Sequence, residues 1–243
     1  MTLPHEGQAS QRVAIITGGS QGIGAGLVAA YRGLGWSVVA TARSMKPSTD
    51  AGVLCVDGDI ADPATAERIV SGALTRFGRI DTLVNNAGVY LSRPFTDYTA
   101  ADYAQVVGVN LGGFFWLTQL VIAEMLKRNG GHVVNISATI ARYAHTSEPS
   151  VLTALTKGGL AAATRSLAVE YASRGIRVNA VSPGIIQTPA HPAESYAGLG
   201  DRLPPLGHVG QVSDVVAAIL FLEAAPFVTG EILHVDGGQN AGH

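Results

Sequence analysis

The stretch Val13-Ala14-Ile15-Ile16-Thr17-Gly18-Gly19-Ser20-Gln21-Gly22-Ile23-Gly24 decides the fold. Five apolar or β-branched residues run into three glycines spaced G-x-x-x-G-x-G, and an amphipathic pattern follows at 22–34. That order reads as a buried strand, a tight turn and a helix. Glycines without Cβ let the main chain approach a ligand closely, while free N–H groups and the positive helix end favour an anion. After the first strand of a βα unit, the pattern points to the pyrophosphate of a dinucleotide. Gly18, Ser20, Gln21, Gly22, Ile23 and Gly24 are therefore candidate cofactor-binding residues.

Working outward, apolar runs at 13–17, 37–42, 53–57, 82–85, 132–136, 177–182 and 232–235 alternate with helical patterns at 22–34, 62–77, 100–109, 114–128, 153–173 and 212–222. This alternation predicts repeated βαβ units: an α/β, doubly wound domain with a seven-stranded parallel sheet and helices on both faces. Asp62-Pro63 reads as an N-cap with proline at the first helical position, and Gly78 as the stop of the same helix. No linker or repeat divides the 243 residues, so a single domain over 1–243 is expected, with 1–11 a flexible extension.

Composition excludes several classes. Charged residues are only 14% against 47% hydrophobic, which suits a large buried sheet. A net charge of −2 with dispersed Lys and Arg leaves no footprint for nucleic acid or an anionic membrane. Cys55 is the sole cysteine, so it cannot form an internal disulfide, and it reads as a small hydrophobe in a buried strand. No run of 18 apolar residues and no signal-like start is found, so the expected location is cytoplasmic. No His, Cys, Asp and Glu grouping has metal-ligand spacing, so no metal is expected.

Nucleotide choice is read at the end of the second strand, in Thr41-Ala42-Arg43-Ser44. Ala42 stands where an acid would hold the ribose 2′-hydroxyl of NAD, while Arg43 and Ser20 suit a 2′-phosphate. NADP(H) is expected ahead of NAD(H).

Together with further motifs, this stretch resembles the short-chain dehydrogenase/reductase family along nearly the whole chain. Asp59-Ile60 resembles the pair that contacts adenine, and Asn85-Asn86-Ala87-Gly88 the NNAG signature, implying backbone contacts to the adenine ribose and support of the sheet. Asn110 matches the helix asparagine that organises a proton-relay water. The segment Arg177-Val178-Asn179-Ala180-Val181-Ser182-Pro183-Gly184 matches the sixth strand and its exit, and the resemblance implies that Ile186 and Thr188 hold the nicotinamide carboxamide. Gly230 to Gly238 resembles the last strand and the turn that packs in the family's tetramers. The resemblance thus implies a homotetramer, or a dimer, built from the helices at 114–128 and 153–173 and this strand.

The family's catalytic group is a Tyr four residues before a Lys, with a Ser that orients the substrate. Here Lys157 matches, but Thr153 stands in the tyrosine position and Ala138 in the serine position, with Ser137 one residue early. A threonine hydroxyl is a far weaker acid than a phenol, whose pKa is about 10, and it is shorter. Thr153, Ser137, Asn110 and Lys157 remain the candidate catalytic positions. Substitute proton donors are sought in the loops 138–152 and 187–208, which offer Tyr143, His145, Glu148, His191, Tyr196 and His208. Tyr171 reads as a packing residue. Two functions follow: an NADP(H)-dependent oxidoreductase acting on a small carbonyl, alcohol or imine, or a dinucleotide-binding sensor or regulator that has lost hydride transfer.

Overall fold

A computed structural model describes residues 11–189, 196, 199 and 203–242. Seven parallel strands form one sheet in the order β3-β2-β1-β4-β5-β6-β9. They are β1 (Val13–Thr17), β2 (Ser37–Ala42), β3 (Val53–Asp57), β4 (Thr82–Asn85), β5 (Gly131–Ile136), β6 (Ile176–Pro183) and β9 (Ile232–Val235). A separate two-stranded pair joins β7 (Ile186–Gln187) to β8 (Gly210–Gln211). The helices are α1 (Gly22–Gly33), α2 (Pro63–Phe77), α3 (Ala100–Val107), α4 (Gly113–Leu126), α5 (Val151–Tyr171) and α6 (Val212–Ala224).

The central strands are apolar on both faces because both faces are covered. Along β1, Val13 and Ile15 enter a core with Ile69 and Ala73 of α2 and Leu117 and Val121 of α4. Ala14 and Ile16 enter the opposite core with Leu27 and Tyr31 of α1 and Val215 and Ile219 of α6. The strand order reverses between β1 and β4, which opens a crevice at the carboxyl ends of those two strands.

Local signals behave as their chemistry requires. Asp62 caps α2 by accepting from Ala64 N at 3.0 Å, Pro63 opens the helix, and Gly78 closes it at φ 74°. Three expectations are corrected. Cys55 is half-buried, because β3 is the sheet's edge strand and only one of its sides pairs. The break expected at 110–113 is absent: a π-turn, Gly108–Gly112, carries the chain from α3 into α4 without a gap. Gln11, expected in a flexible extension, accepts a hydrogen bond from Ser37 Oγ at 3.1 Å; residues 1–10 lie outside the described residues.

The continuous helical run Ala100–Arg128 is long and apolar enough, by composition, to cross a membrane. Its α4 portion instead buries Leu117, Val121, Ile122 and Met125 against the sheet.

Candidate functional site

At the crevice, a cleft of about 610 Å³ is lined by Gly18, Ser20, Gln21, Gly22 and Ile23, by Arg43, by Asp59 and Ile60, by Asn86, Ala87 and Gly88, and by Thr188. The glycines are needed for conformation and for space. Gly18 and Gly22 take φ of 67° and 54°, where a side chain is strained. A Cβ on Gly24 would run into the Gly18 carbonyl, so Gly24 lies behind the turn, where it lets helix and turn close-pack.

Asn86 fastens this turn from β4. Its Nδ2 donates to Thr17 O at 2.8 Å, and the amides of Asn86 and Ala87 both donate to Thr17 Oγ1 at 2.9 Å. Asn85 works inside the sheet, donating to Asn135 Oδ1 and Thr118 Oγ1 at 2.9 Å. Thr41, Ala42 and Ser44, from the run read for nucleotide choice, also line the cleft, as do Gly58, Val89 and Val109, which sequence reasoning missed. Thr41 Oγ1 is buried there without a hydrogen-bond partner among the described residues. An orphaned hydroxyl at the strand end, an N–H-rich turn and a guanidinium at the rim form a donor set that fits an elongated phosphate-bearing nucleotide.

Behind the cleft wall at Gly88 lies Lys157 of α5. Lys157 is buried and donates from Nζ to Ile136 O at 2.7 Å. Burial pushes its ammonium down to about 8. A Cβ on Gly88 would lie 3.0 Å from Lys157 Nζ and 3.3 Å from Asn110 Oδ1, so the main chain passes directly over both. Asn110 sits in the π-turn and grips Val89 at both polar atoms: Oδ1 accepts from Val89 N at 2.9 Å and Nδ2 donates to Val89 O at 3.0 Å. Its Nδ2 also donates to Thr156 Oγ1 at 3.0 Å.

Thr153 does the same for the next backbone unit but one. Its Oγ1 accepts from Leu91 N at 3.1 Å and donates to Leu91 O at 3.2 Å, and the side chain is buried. The hydroxyl in the position of the expected acid is therefore committed to the backbone. Ser137 is likewise committed, donating to Lys157 O at 3.0 Å, and it faces a different cavity from the one beside Ala138.

That second space, a cavity of about 140 Å³, is lined by Ala138, Pro183, Gly184, Tyr143, His145, Glu148 and by Tyr90, which sequence reasoning overlooked. Its only sequence signal was its place two residues after the NNAG run. Gly88 and Val89 line the cleft and Tyr90 the cavity, so consecutive residues wall the two spaces. Ile186 lies apart, in a hollow with Pro205, Leu206 and His208, its side chain packed beside Gly210 of β8 and into the core of α1 and α6. Tyr196 donates to Ile186 O at 3.2 Å, while His191 falls outside the described residues. Tyr171 packs against the α2–α4 core, as a packing residue should. Among the described residues no group of His, Cys, Asp and Glu is arranged to hold a metal.

Residues 18–240 match the family model described as enoyl-(acyl carrier protein) reductase. An L-fucose dehydrogenase of Mus musculus is 34% identical, over 96% of this chain and 90% of its own. A 3-oxoacyl-[acyl-carrier-protein] reductase of Thermotoga maritima is 33% identical, over 93% and 97%. Among solved structures, ElxO with NADP bound superposes with a TM-score of 0.86 at 29% identity, covering 96% of this chain and all of that one. A short-chain type dehydrogenase/reductase from Mycobacterium marinum reaches 0.88 at 26% identity, over 96% and 97%.

Proposed function

The chain belongs to the short-chain dehydrogenase/reductase family of oxidoreductases, and from that premise we propose that it works with NADP(H) on a small carbonyl, alcohol or imine substrate, using a proton donor other than the family's tyrosine. The observation that carries this reading is the meeting of the two spaces at residues 88–90: Gly88 and Val89, which wall the cleft, lie against Lys157 and Asn110, and Tyr90, next in the chain, walls the cavity with Tyr143, His145 and Glu148.

In this reading the turn amides of residues 18–24 hold the diphosphate, Asp59 and Ile60 border the adenine, and Arg43 with Ser20 and Ser44 takes the 2′-phosphate. Lys157 holds the nicotinamide ribose, and Pro183, Gly184 and Thr188 support the ring; Ile186 contributes through its backbone. When bound, the dinucleotide gives or takes the hydride. Asn110 and Thr153 act by fixing the backbone of residues 89 and 91. The single domain, cytoplasmic location and homotetramer or dimer are parts of the same proposal.

The test is fluorescence titration with NADPH and NADH, followed by rapid-mixing assays of NADPH oxidation against ketones, quinones and imines. Tighter NADPH binding, with turnover lost in Lys157→Ala, is the expected result. Tight binding without turnover, and activity gained only in Thr153→Tyr, would instead make the chain a nucleotide sensor or regulator. Failure to bind either nucleotide would remove both readings.

A further inference from the structure

We propose that Tyr90 and Glu148 together form the proton relay of this site, the phenol touching the substrate oxygen and the carboxylate standing behind it. The inference rests on the reading above and assigns its missing proton-handling group.

Tyr90 Oη donates a hydrogen bond to a Glu148 carboxylate oxygen, and both side chains wall the cavity beside Ala138, Pro183 and Gly184. Neither is placed by chance. The backbone flanking Tyr90 is held at Val89 by Asn110 and at Leu91 by Thr153, each through a pair of hydrogen bonds between 2.9 and 3.2 Å. Two clamps one residue to either side leave the tyrosine little freedom except its own two torsions. The segment carrying Glu148 is tied to the same stretch: Ser92 Oγ and Arg93 N both donate to Pro149 O, at 2.9 and 2.7 Å, and Ser150 Oγ donates to Glu148 O at 2.9 Å. The threonine in the family's tyrosine position thus acts as a positioning residue for another tyrosine.

The other titratable groups of the cavity are less suited. Tyr143 and His145 share the loop of Glu148 and lie outside the stretch that Asn110 and Thr153 clamp, and His145 Nδ1 accepts from Ser147 N at 3.2 Å. Tyr90 is 48% exposed, enough for a substrate to reach its oxygen. Burial, reinforced by the Glu148 hydrogen bond, holds its phenol well above the usual range, so at neutral pH it carries its proton and passes one on without forming a phenolate.

The step balances. In the oxidising direction the substrate O–H proton passes to Tyr90 Oη while the phenolic proton passes to Glu148. The electron pair of the carbinol C–H bond leaves as hydride to the oxidised nicotinamide dinucleotide, and a carbonyl forms. Glu148 then releases its proton to water. In reduction the same proton travels from Glu148 through Tyr90 to the carbonyl oxygen.

The experiment compares wild type, Tyr90→Phe, Glu148→Gln and Tyr143→Phe, with NADPH affinity and thermal midpoint verifying that each folds. Tyr90→Phe is expected to lower kcat about 10²–10⁴-fold with little change in NADPH affinity. Glu148→Gln is expected to abolish one limb of the kcat pH profile, and Tyr143→Phe, which removes the cavity's other phenol, to lower kcat less than Tyr90→Phe does and to keep both limbs of that profile. Independently of turnover, an alkaline ¹³C NMR titration of ζ-labelled tyrosine, with Tyr90 identified by its loss in Tyr90→Phe, should show its resonance titrating late in wild type and earlier in Glu148→Gln. Full activity in Tyr90→Phe, a loss in Tyr143→Phe instead, or an unmoved Tyr90 titration overturns the relay while leaving the oxidoreductase reading intact. Absence of turnover in the wild type overturns that reading and the relay with it.

Discussion

At the scale of single residues, Lys157 shows what this site costs the fold. Its folded pKa of about 8 lies below the unfolded value near 10.4, so between them the unfolded chain holds the extra proton. Stability therefore rises with pH through that window, and below it the buried charge is a standing penalty. Replacing the ammonium with a thioether of similar length, Lys157→Met, is expected to stabilise the nucleotide-free protein at pH 7 by about 1–2 kcal/mol, allowing for the lost bond to Ile136 O. Calorimetry should show a higher midpoint together with weaker NADPH binding; a lower midpoint would mean the charge is compensated. Arg43 tests the other end of the cleft. It is exposed, so its contact with a 2′-phosphate is screened, and Arg43→Ala is expected to weaken NADPH about tenfold while sparing NADH. Equal loss for both nucleotides would place the guanidinium on the shared diphosphate instead.

At the scale of elements, the π-turn Gly108–Gly112 is what lets a helix residue reach a loop. One extra residue in the turn widens the helix and aims Asn110 at Val89 and Thr156. Asn110→Ala would leave Val89 N without its acceptor, and is expected to cost about 1–3 kcal/mol. Hydrogen exchange should speed up at residues 89–91 and stay unchanged in β1 and β4; uniform protection would show that Thr153 alone holds the segment. The strands and most helix ends were legible beforehand because each carried a local signal, such as the apolar run of β1 or the Asp62-Pro63 cap and Gly78 stop of α2. The π-turn was not, since glycines at 108, 112 and 113 look like a break when read locally, and the close packing of Gly108 on Ala61 and of Gly113 on Ile60 is visible only in the fold. The nucleotide cleft was largely legible for the same reason as the strands, its glycines lying next to one another in sequence. The clamps on Val89 and Leu91 join residues 21 and 62 positions apart, and the Tyr90–Glu148 pair spans 58, so no periodicity or motif announced them.

At the scale of the whole molecule, several large apolar side chains stay uncovered, among them Phe115 and Trp116 of α4 and Leu155 and Val169 of α5. If these helices pair between copies, sedimentation should find an assembly that Leu155→Glu weakens; a monomer at all concentrations would refute the pairing. The end of the sheet away from the cleft raises a different question, because a buried polar cluster there ties five elements together. Glu223 of α6 accepts from Thr82 of β4 at 2.9 Å, His132 of β5 at 3.0 Å and Tyr31 of α1 at 3.1 Å. His132 Nε2 faces Asn179 Nδ2 at 3.1 Å and Arg177 at 3.4 Å, both on β6. Those groups only donate, and Asn179 Oδ1 is already taken by Glu231 N, so Nε2 must accept and Nδ1 carries the proton toward Glu223. A second proton on this ring has nowhere to go. Burial lowers the pKa of His132, and for Glu223 the hydrogen bonds from His132, Thr82 and Tyr31 outweigh burial and lower it as well. With both folded values below the unfolded ones, the unfolded chain binds more protons as pH falls, so stability drops from about pH 6.5 and continues to drop through the carboxylate range near 4.3. Urea midpoints of the wild type should therefore fall steeply on acidification. Glu223→Gln, whose carbonyl oxygen keeps an acceptor for the three donors but without the charge, is expected to lose about 1–2 kcal/mol at pH 7 and to show a flatter acid slope. Parallel slopes in the two proteins would mean that acid sensitivity arises elsewhere and that this cluster is held by packing alone.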